Sequence, residues 1–111
     1  MSARPILLVR ARVDPVRLDE FARWHRRVHL PNVLAIPGIA RAWRLRFADP
    51  LPGLHLMAYE FAEESVIQAA LASDEATAAR NDWEPWAPHL QELSIEILTP
   101  LAPSSLLRQW G

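Results

Sequence analysis

His25 and His29 stand four residues apart in a segment whose apolar positions recur at helical spacing. With Phe21 at the centre of a helical wheel, Leu18, Trp24, His25 and Val28 share its side, while Arg23, Arg26 and Arg27 fall opposite. His25 therefore lies within the apolar stripe and His29 at its edge, one turn on. Imidazole titrates near neutral pH and both accepts and gives a proton, so two of them turned inward are candidate acid–base groups. Further along, His55, Met57, Tyr59 and Phe61 occupy one parity of a strand-like run, and Trp43 stands in another. Taken singly, an inward histidine or a strand tyrosine is commonly a packing residue. Histidines, the single tyrosine and a tryptophan aimed at one interior make a stronger pattern. The expected site has His29 and His25 as bases and Tyr59 to orient or protonate a substrate oxygen. Trp24, Trp43, Met57 and Phe61 are expected to form its apolar walls. Trp83 and Trp86, with His89, either close that pocket as an aromatic lid or pack an irregular segment onto the core.

The elements that must carry these residues are readable from pattern. Ile6 to Val13 reads as a strand, and Asp14-Pro15 both ends it and opens a helix expected to run to about His29. Pro31 argues against continuation, because the residue before a proline disfavours helical angles. Ile39 to Phe47 and Leu54 to Phe61 read as strands joined by the turn-rich Asp49-Pro50-Leu51-Pro52-Gly53. Glu63 to Leu71 reads as helix, Ser73 caps a further piece over Asp74 to Asn81, and Leu90 to Leu98 is the last strand. Residues 1–98 form one domain and residues 99–111 a tail, whose Leu106, Leu107 and Trp110 are apolar enough to dock.

The order βαββαβ gives an α+β, ferredoxin-like sandwich: a four-stranded antiparallel sheet with its helices on one face. One strand parity holds Val9, Ala11, Trp43, Leu45, Phe47, Met57, Tyr59, Ile95 and Ile97 and should face the helices. The other holds Glu96, Arg10 and Arg12, Glu60, and Arg44 and Arg46, which alternate in sign across the expected strand order and so favour it. That face also carries Leu8, Leu56, Ala58 and Leu98, a mixture suited to packing against a second copy of the chain.

Composition narrows the function classes. The 111 residues carry a net charge of −1, with arginine as the only basic residue besides histidine, so no basic surface invites nucleic acid. There is no cysteine, which excludes disulfides, thiolate catalysis and cysteine-bound zinc. No apolar run spans a bilayer and no secretory leader precedes the first strand, so a cytoplasmic protein with no membrane partner is expected. His25 and His29 have chelating spacing, but no carboxylate completes a recognised metal motif, and no glycine-rich loop cradles a phosphate. Neither metal nor other cofactor is therefore expected.

The stretch Trp24-His25 to His29-Leu30-Pro31 and on to Pro37-Gly38-Ile39 resembles the W-x(4)-H-x-P…PG pattern of the EthD-like family of the dimeric α+β barrel superfamily. Ala72-Ser73-Asp74-Glu75 with Ala79-Arg80-Asn81-Asp82 is similar to the segment near that family's second helix. The resemblance covers roughly Ile6 to Leu98. It implies a homodimer whose two sheets form a barrel, with one pocket per subunit between sheet and helices. It places His29 and Pro31 on the motif's histidine and proline, with His25 an addition to the pattern. Relatives of this kind include cofactor-independent monooxygenases, polyketide cyclases, isomerases, lyases and haem-handling enzymes. Together with the residues, this leads to a cofactor-independent lyase, isomerase or cyclase acting on a small apolar or aromatic molecule. A cofactor-independent monooxygenase and a non-catalytic binder of a hydrophobic metabolite are the alternatives.

Overall fold

Every second side chain of β1 (Ile6–Val13) is buried, with Leu7, Val9, Ala11 and Val13 turned to one face. In the computed structural model, which describes residues 3–49 and 51–101, β1 sits inside a four-stranded antiparallel sheet. β2 (Ile39–Leu45), β3 (Leu54–Phe61) and β4 (Leu90–Leu98) complete it in the order β2-β3-β1-β4. Helical segments join β1 to β2 and β3 to β4, giving the ferredoxin-like βαββαβ arrangement. Phe21, Val33, Ala70, Ala76 and Ala79 from those segments form one core with Leu7, Val9, Ala11, Met57, Tyr59 and Phe61. Residues 102–111, and with them Leu106, Leu107 and Trp110, lie outside the described residues.

Asp14 ends β1 and starts the first helical segment as expected. Its Oδ1 accepts from the Val16 N–H at 3.1 Å, and Pro15 opens a short 3-10 turn (Pro15–Arg17). α1 (Leu18–Trp24), a π-turn (His25–His29) and α2 (Leu30–Leu34) then follow without a break. The helix therefore does not stop near His29, and Pro31 lies inside it. The π-turn explains how: Leu30 N–H donates to His25 O, five residues back, which loosens the ladder just before the ring that has no N–H to give.

The same turn sets the helix phase. Phe21, His25, His29 and Val33, spaced by fours, are all buried. In an uninterrupted α-helix three such steps drift by about 120°. The wider turn takes that drift back and keeps all four on the sheet. Val28, expected within the stripe, is displaced from it and is 44 % exposed.

β2 departs from the expected parity. The register slips between Ile39 and Arg41, an extra residue on β2 that forms a β-bulge. Beyond it Trp43 pairs with Ala58, Arg44 with Met57 and Leu45 with Leu56. Residues paired across antiparallel strands share a face, so Arg44 stands on the helix side while Trp43 and Leu45 stand on the outer side. Trp43, expected in the pocket wall, is 37 % exposed there, with the Arg41 guanidinium 5.3 Å from its ring centre. The strand also ends at Leu45 rather than Phe47.

The outer face keeps its alternation of charge with different members. Arg10 and Arg12 pair with Glu92 of β4, at 3.2 and 3.8 Å, in place of Glu96. Glu60 pairs with Arg41, at 3.2 Å, and with Arg4, at 3.1 Å, in place of Arg44 and Arg46. These two guanidinium groups, Arg41 first, hold the Glu60 carboxyl below its usual range.

On the second connection a 3-10 turn (Glu64–Val66) precedes α3 (Ile67–Ala72), and Ser73 caps α4 (Asp74–Asn81) by accepting from Ala76 N–H at 3.1 Å. The segment after α4 is a 3-10 helix (Glu84–His89), with Trp83 just before it and Trp86 within it both buried. Gly53 closes the hairpin against β1: its φ is +77°, and a Cβ there would lie 2.6 Å from Val13 O, so only glycine fits. The Val13 N–H donates to Gly53 O at 2.8 Å, which ties the start of β3 to the end of β1. Among the described residues no helix is long and apolar enough to cross a membrane.

Candidate active site

Phe21 is the hub on which the helix meets the sheet. Its ring centre lies 5.0 Å from that of His55, 5.1 Å from Trp86, 5.4 Å from Trp24 and 6.0 Å from Trp83. Edge-to-face and tilted contacts of this kind hold ring orientations as well as burying area. They fix the helix face one turn before the two histidines.

His29 is buried and is oriented from both sides. The Trp24 indole stacks on its ring, 5.1 Å away and 9° from parallel, and Trp83 meets it edge-on at 4.9 Å. Its Nδ1 lies 3.1 Å from Asp82 Oδ2, which also accepts from Asn32 Nδ2 at 2.8 Å. An ionised carboxylate only accepts, so the proton of neutral His29 sits on Nδ1 and its lone pair on Nε2. Burial lowers the His29 pKa, while the hydrogen bond and charge of Asp82 oppose that shift. The result is a neutral imidazole with a carboxylate ready to stabilise the cation it becomes on taking a proton.

His25 and His55 have no such carboxylate. His25 Nε2 lies 3.4 Å from the Tyr59 hydroxyl, a long hydrogen bond whose direction follows the His25 tautomer. The His55 ring centre is 4.5 Å from that of His25, and its Nε2 is buried without a partner among the described residues. Burial, then the neighbouring His29, then Arg44 push His25 down to about 4. Burial, then His25, Arg44 and His29 push His55 down to about 3. Burial raises the Tyr59 phenol above its ordinary value. All three are therefore neutral near pH 7.

Two hollows flank this cluster. One is an apolar cavity of about 90 Å³ lined by His29, Tyr59, Trp83, Val33, Leu71 and Ile95, among others. The other is a larger cleft on the far side of His25. Of the residues expected to form the site, the structure brings together His25, His29, Tyr59, Trp24 and Trp83. Met57 and Phe61 are fully buried in the core and line neither hollow, and Trp86 packs on Phe21. Trp43 is on the other face of the sheet. Asp82, Asn32 and Arg44 join the cluster without having been singled out for it, and His55, expected on the facing sheet surface but given no role, stands there. Asp82 carries a signal in the sequence, since it closes the second stretch of the family resemblance and meets the histidine of the first. Among the described residues no group of three or more His, Cys, Asp or Glu side chains is placed to hold a metal ion.

The architecture is that of a ferredoxin-like α+β domain, and solved structures of the same fold carry the resemblance further. An ethyl tert-butyl ether D (EthD) family protein from Bacillus halodurans superposes with a TM-score of 0.68 at 20 % identity, over 87 % of this chain and 99 % of its own. A proposed antibiotic biosynthesis monooxygenase from Bacteriodes thetaiotaomicron gives 0.60 at 20 % identity, over 90 % and 91 %. A protein of unknown function from Nitrosomonas europaea gives 0.62 at 26 % identity, over 90 % and 91 %. The kinship with EthD-like proteins expected from residues 24–39 and 72–82 thus holds at the level of the fold. No family model and no curated protein matches the sequence.

The buried imidazoles make stability depend on pH in a definite direction. Below their ordinary value of 6.5, His25 and His55 bind protons in the unfolded chain and refuse them in the folded one. Stability that is fully present above pH 6.5 is therefore lost as the pH falls toward about 4 and then 3. Urea unfolding midpoints measured in steps from pH 7 downward should fall steadily through this range. Midpoints that stay level to pH 4 would show that neither imidazole is held neutral by the fold.

Proposed function

We propose that this chain is an acid–base enzyme, a lyase, isomerase or cyclase, acting on a small enolisable or phenolic molecule whose reacting end enters the apolar cavity. The observation that carries this reading is His29: Asp82 occupies its Nδ1, which leaves Nε2 as the basic atom of a buried ring that lines the cavity with Tyr59. In the proposed step, Nε2 removes a proton from carbon or from a phenolic oxygen. Asp82 stabilises the imidazolium, and the stacked Trp24 face favours its positive charge. The Tyr59 O–H, held by His25, donates to the oxygen on which negative charge builds. A low surrounding dielectric strengthens each of these interactions. The cavity is smaller than ordinary ligand sites, which run to about 300 Å³ or more. A substrate therefore reaches it with its reacting end, and the remainder lies along the exposed helix-side residues of β4, Leu93, Ile95 and Ile97.

The resemblance to a proposed antibiotic biosynthesis monooxygenase favours a second reading, in which the same deprotonation yields an electron-rich anion that reacts with dioxygen. Turnover of a panel of β-dicarbonyl and phenolic compounds, in air and without oxygen, separates the two. His29→Gln is expected to lose about 10²- to 10⁴-fold in kcat, with Asp82→Asn and Tyr59→Phe losing smaller factors. Unchanged turnover in all three variants would overturn the acid–base assignment. Turnover confined to aerobic samples would select the monooxygenase, and saturable binding with no turnover would make the chain a carrier.

We also propose that a second copy covers the outer face of the sheet. Trp43, Leu45, Phe47 and Leu98 are 37–46 % exposed there, around ion pairs that leave little free charge. Sedimentation should show a dimer for the native chain and a monomer for Leu45→Glu. A native monomer at micromolar concentration would contradict the proposal.

A further inference from the structure

The larger hollow is a cleft of about 500 Å³ between α1, the π-turn and the β2–β3 end of the sheet. The residues lining it divide sharply. Leu18, Phe21, Leu30 and Leu54 offer apolar walls, whereas His25, His55, Arg26 and Arg44 offer nitrogen. Asp19 is the one acid among the described lining residues, set against two guanidinium groups. Neither Arg26 nor Arg44 takes part in any ion pair among the described residues.

Arg44 reaches this side only because the β-bulge after Ile39 turns it over. An arginine on the helix-facing side of a sheet is an uncommon placement, and this one stands near enough to His25 and His55 for its charge to lower the pKa of both. The second observation is independent of charge. His55 is 6 % exposed, and its buried Nε2 has no hydrogen-bond partner among the described residues. A native fold seldom leaves such an atom unmet, and the residue that carries it is part of this hollow's lining.

We propose that this cleft binds a small organic carboxylate, with Arg44 pairing its charged end, His55 Nε2–H donating to it, and the leucines and Phe21 enclosing its apolar body. The fork of the guanidinium matches the two oxygens of a carboxylate, and the apolar walls favour an organic acid over a bare inorganic anion. The His25–Tyr59 pair stands between this site and the His29 cavity, with His25 lining the one and Tyr59 the other.

The test uses benzoate as the probe, benzamide as its neutral counterpart and inorganic phosphate as a bare anion, each titrated into the full chain while the imidazole signals of all four histidines are followed by NMR. Benzoate should saturate and shift the His55 and His25 signals while leaving those of His29 nearly in place. Benzamide and phosphate should each bind about tenfold or more weaker, as expected for the loss of a charge-assisted pair or of the apolar contact. Arg44→Gln, an exposed position that should fold normally, should weaken benzoate by about the same factor and leave benzamide unchanged. Equal binding of benzoate and benzamide, phosphate binding as tight as benzoate, or an Arg44→Gln variant that binds benzoate undiminished would each overturn the assignment. So would a response confined to His29, which would place the probe in the other cavity, or no saturation at millimolar benzoate.

Discussion

Three imidazoles and a phenol share the space beneath one helix, and among the described residues a single carboxylate, that of Asp82, reaches them. Removing ionisable groups from water penalises their charged forms, so without further partners all four become neutral. His25, His55 and Tyr59 do so. His29 alone has its desolvation opposed by a hydrogen-bonded anion. This difference within one cluster is what assigns roles. The group with Asp82 behind it is the one able to accept a proton at modest cost, and the others orient, donate or pack.

The cluster depends in turn on the π-turn. Four buried residues at successive spacings of four, Phe21, His25, His29 and Val33, do not stay on one face of an ideal α-helix. One widened turn restores them to the sheet and also accommodates Pro31 just beyond it. Phe21, packed among Trp24, Trp83, Trp86 and His55, anchors the helix on one side of that turn, and the Asn32–Asp82 hydrogen bond ties it to the end of α4 on the other. Local backbone irregularity and side-chain chemistry thus fall on the same residues, as π-turns often do.

Much of this was legible from residue order. Strand and helix sequence, the caps at Asp14 and Ser73, the β2-β3-β1-β4 order and the inward direction of His25, His29 and Tyr59 follow from periodicity and turn chemistry. What escaped in the backbone is of one kind: places where a single residue is added to a regular element. The π-turn carried the helix past Pro31 and put Val28 into solvent. The bulge after Ile39 exchanged the faces of Trp43 and Arg44, because a slip of one residue in a strand reverses every side chain after it. Neither insertion alters composition or hydropathy enough to be seen. The charge alternation across the sheet still pointed to the correct topology, since Arg41 and Glu92 supply the signs expected of Arg44 and Glu96. Asp82 was missed as a partner of His29 because the contact joins residues 53 positions apart.

The central claim is that His29 is neutral with its proton on Nδ1, held there by Asp82, and its basic nitrogen left for the cavity. Long-range ¹H–¹⁵N correlation of the histidine side chains at neutral pH observes that state directly. The account predicts a protonated Nδ1 and an unprotonated Nε2 for His29, with the preference lost in Asp82→Leu. An Nε2–H tautomer or an imidazolium at neutral pH, or a spectrum indifferent to Asp82→Leu, would contradict it.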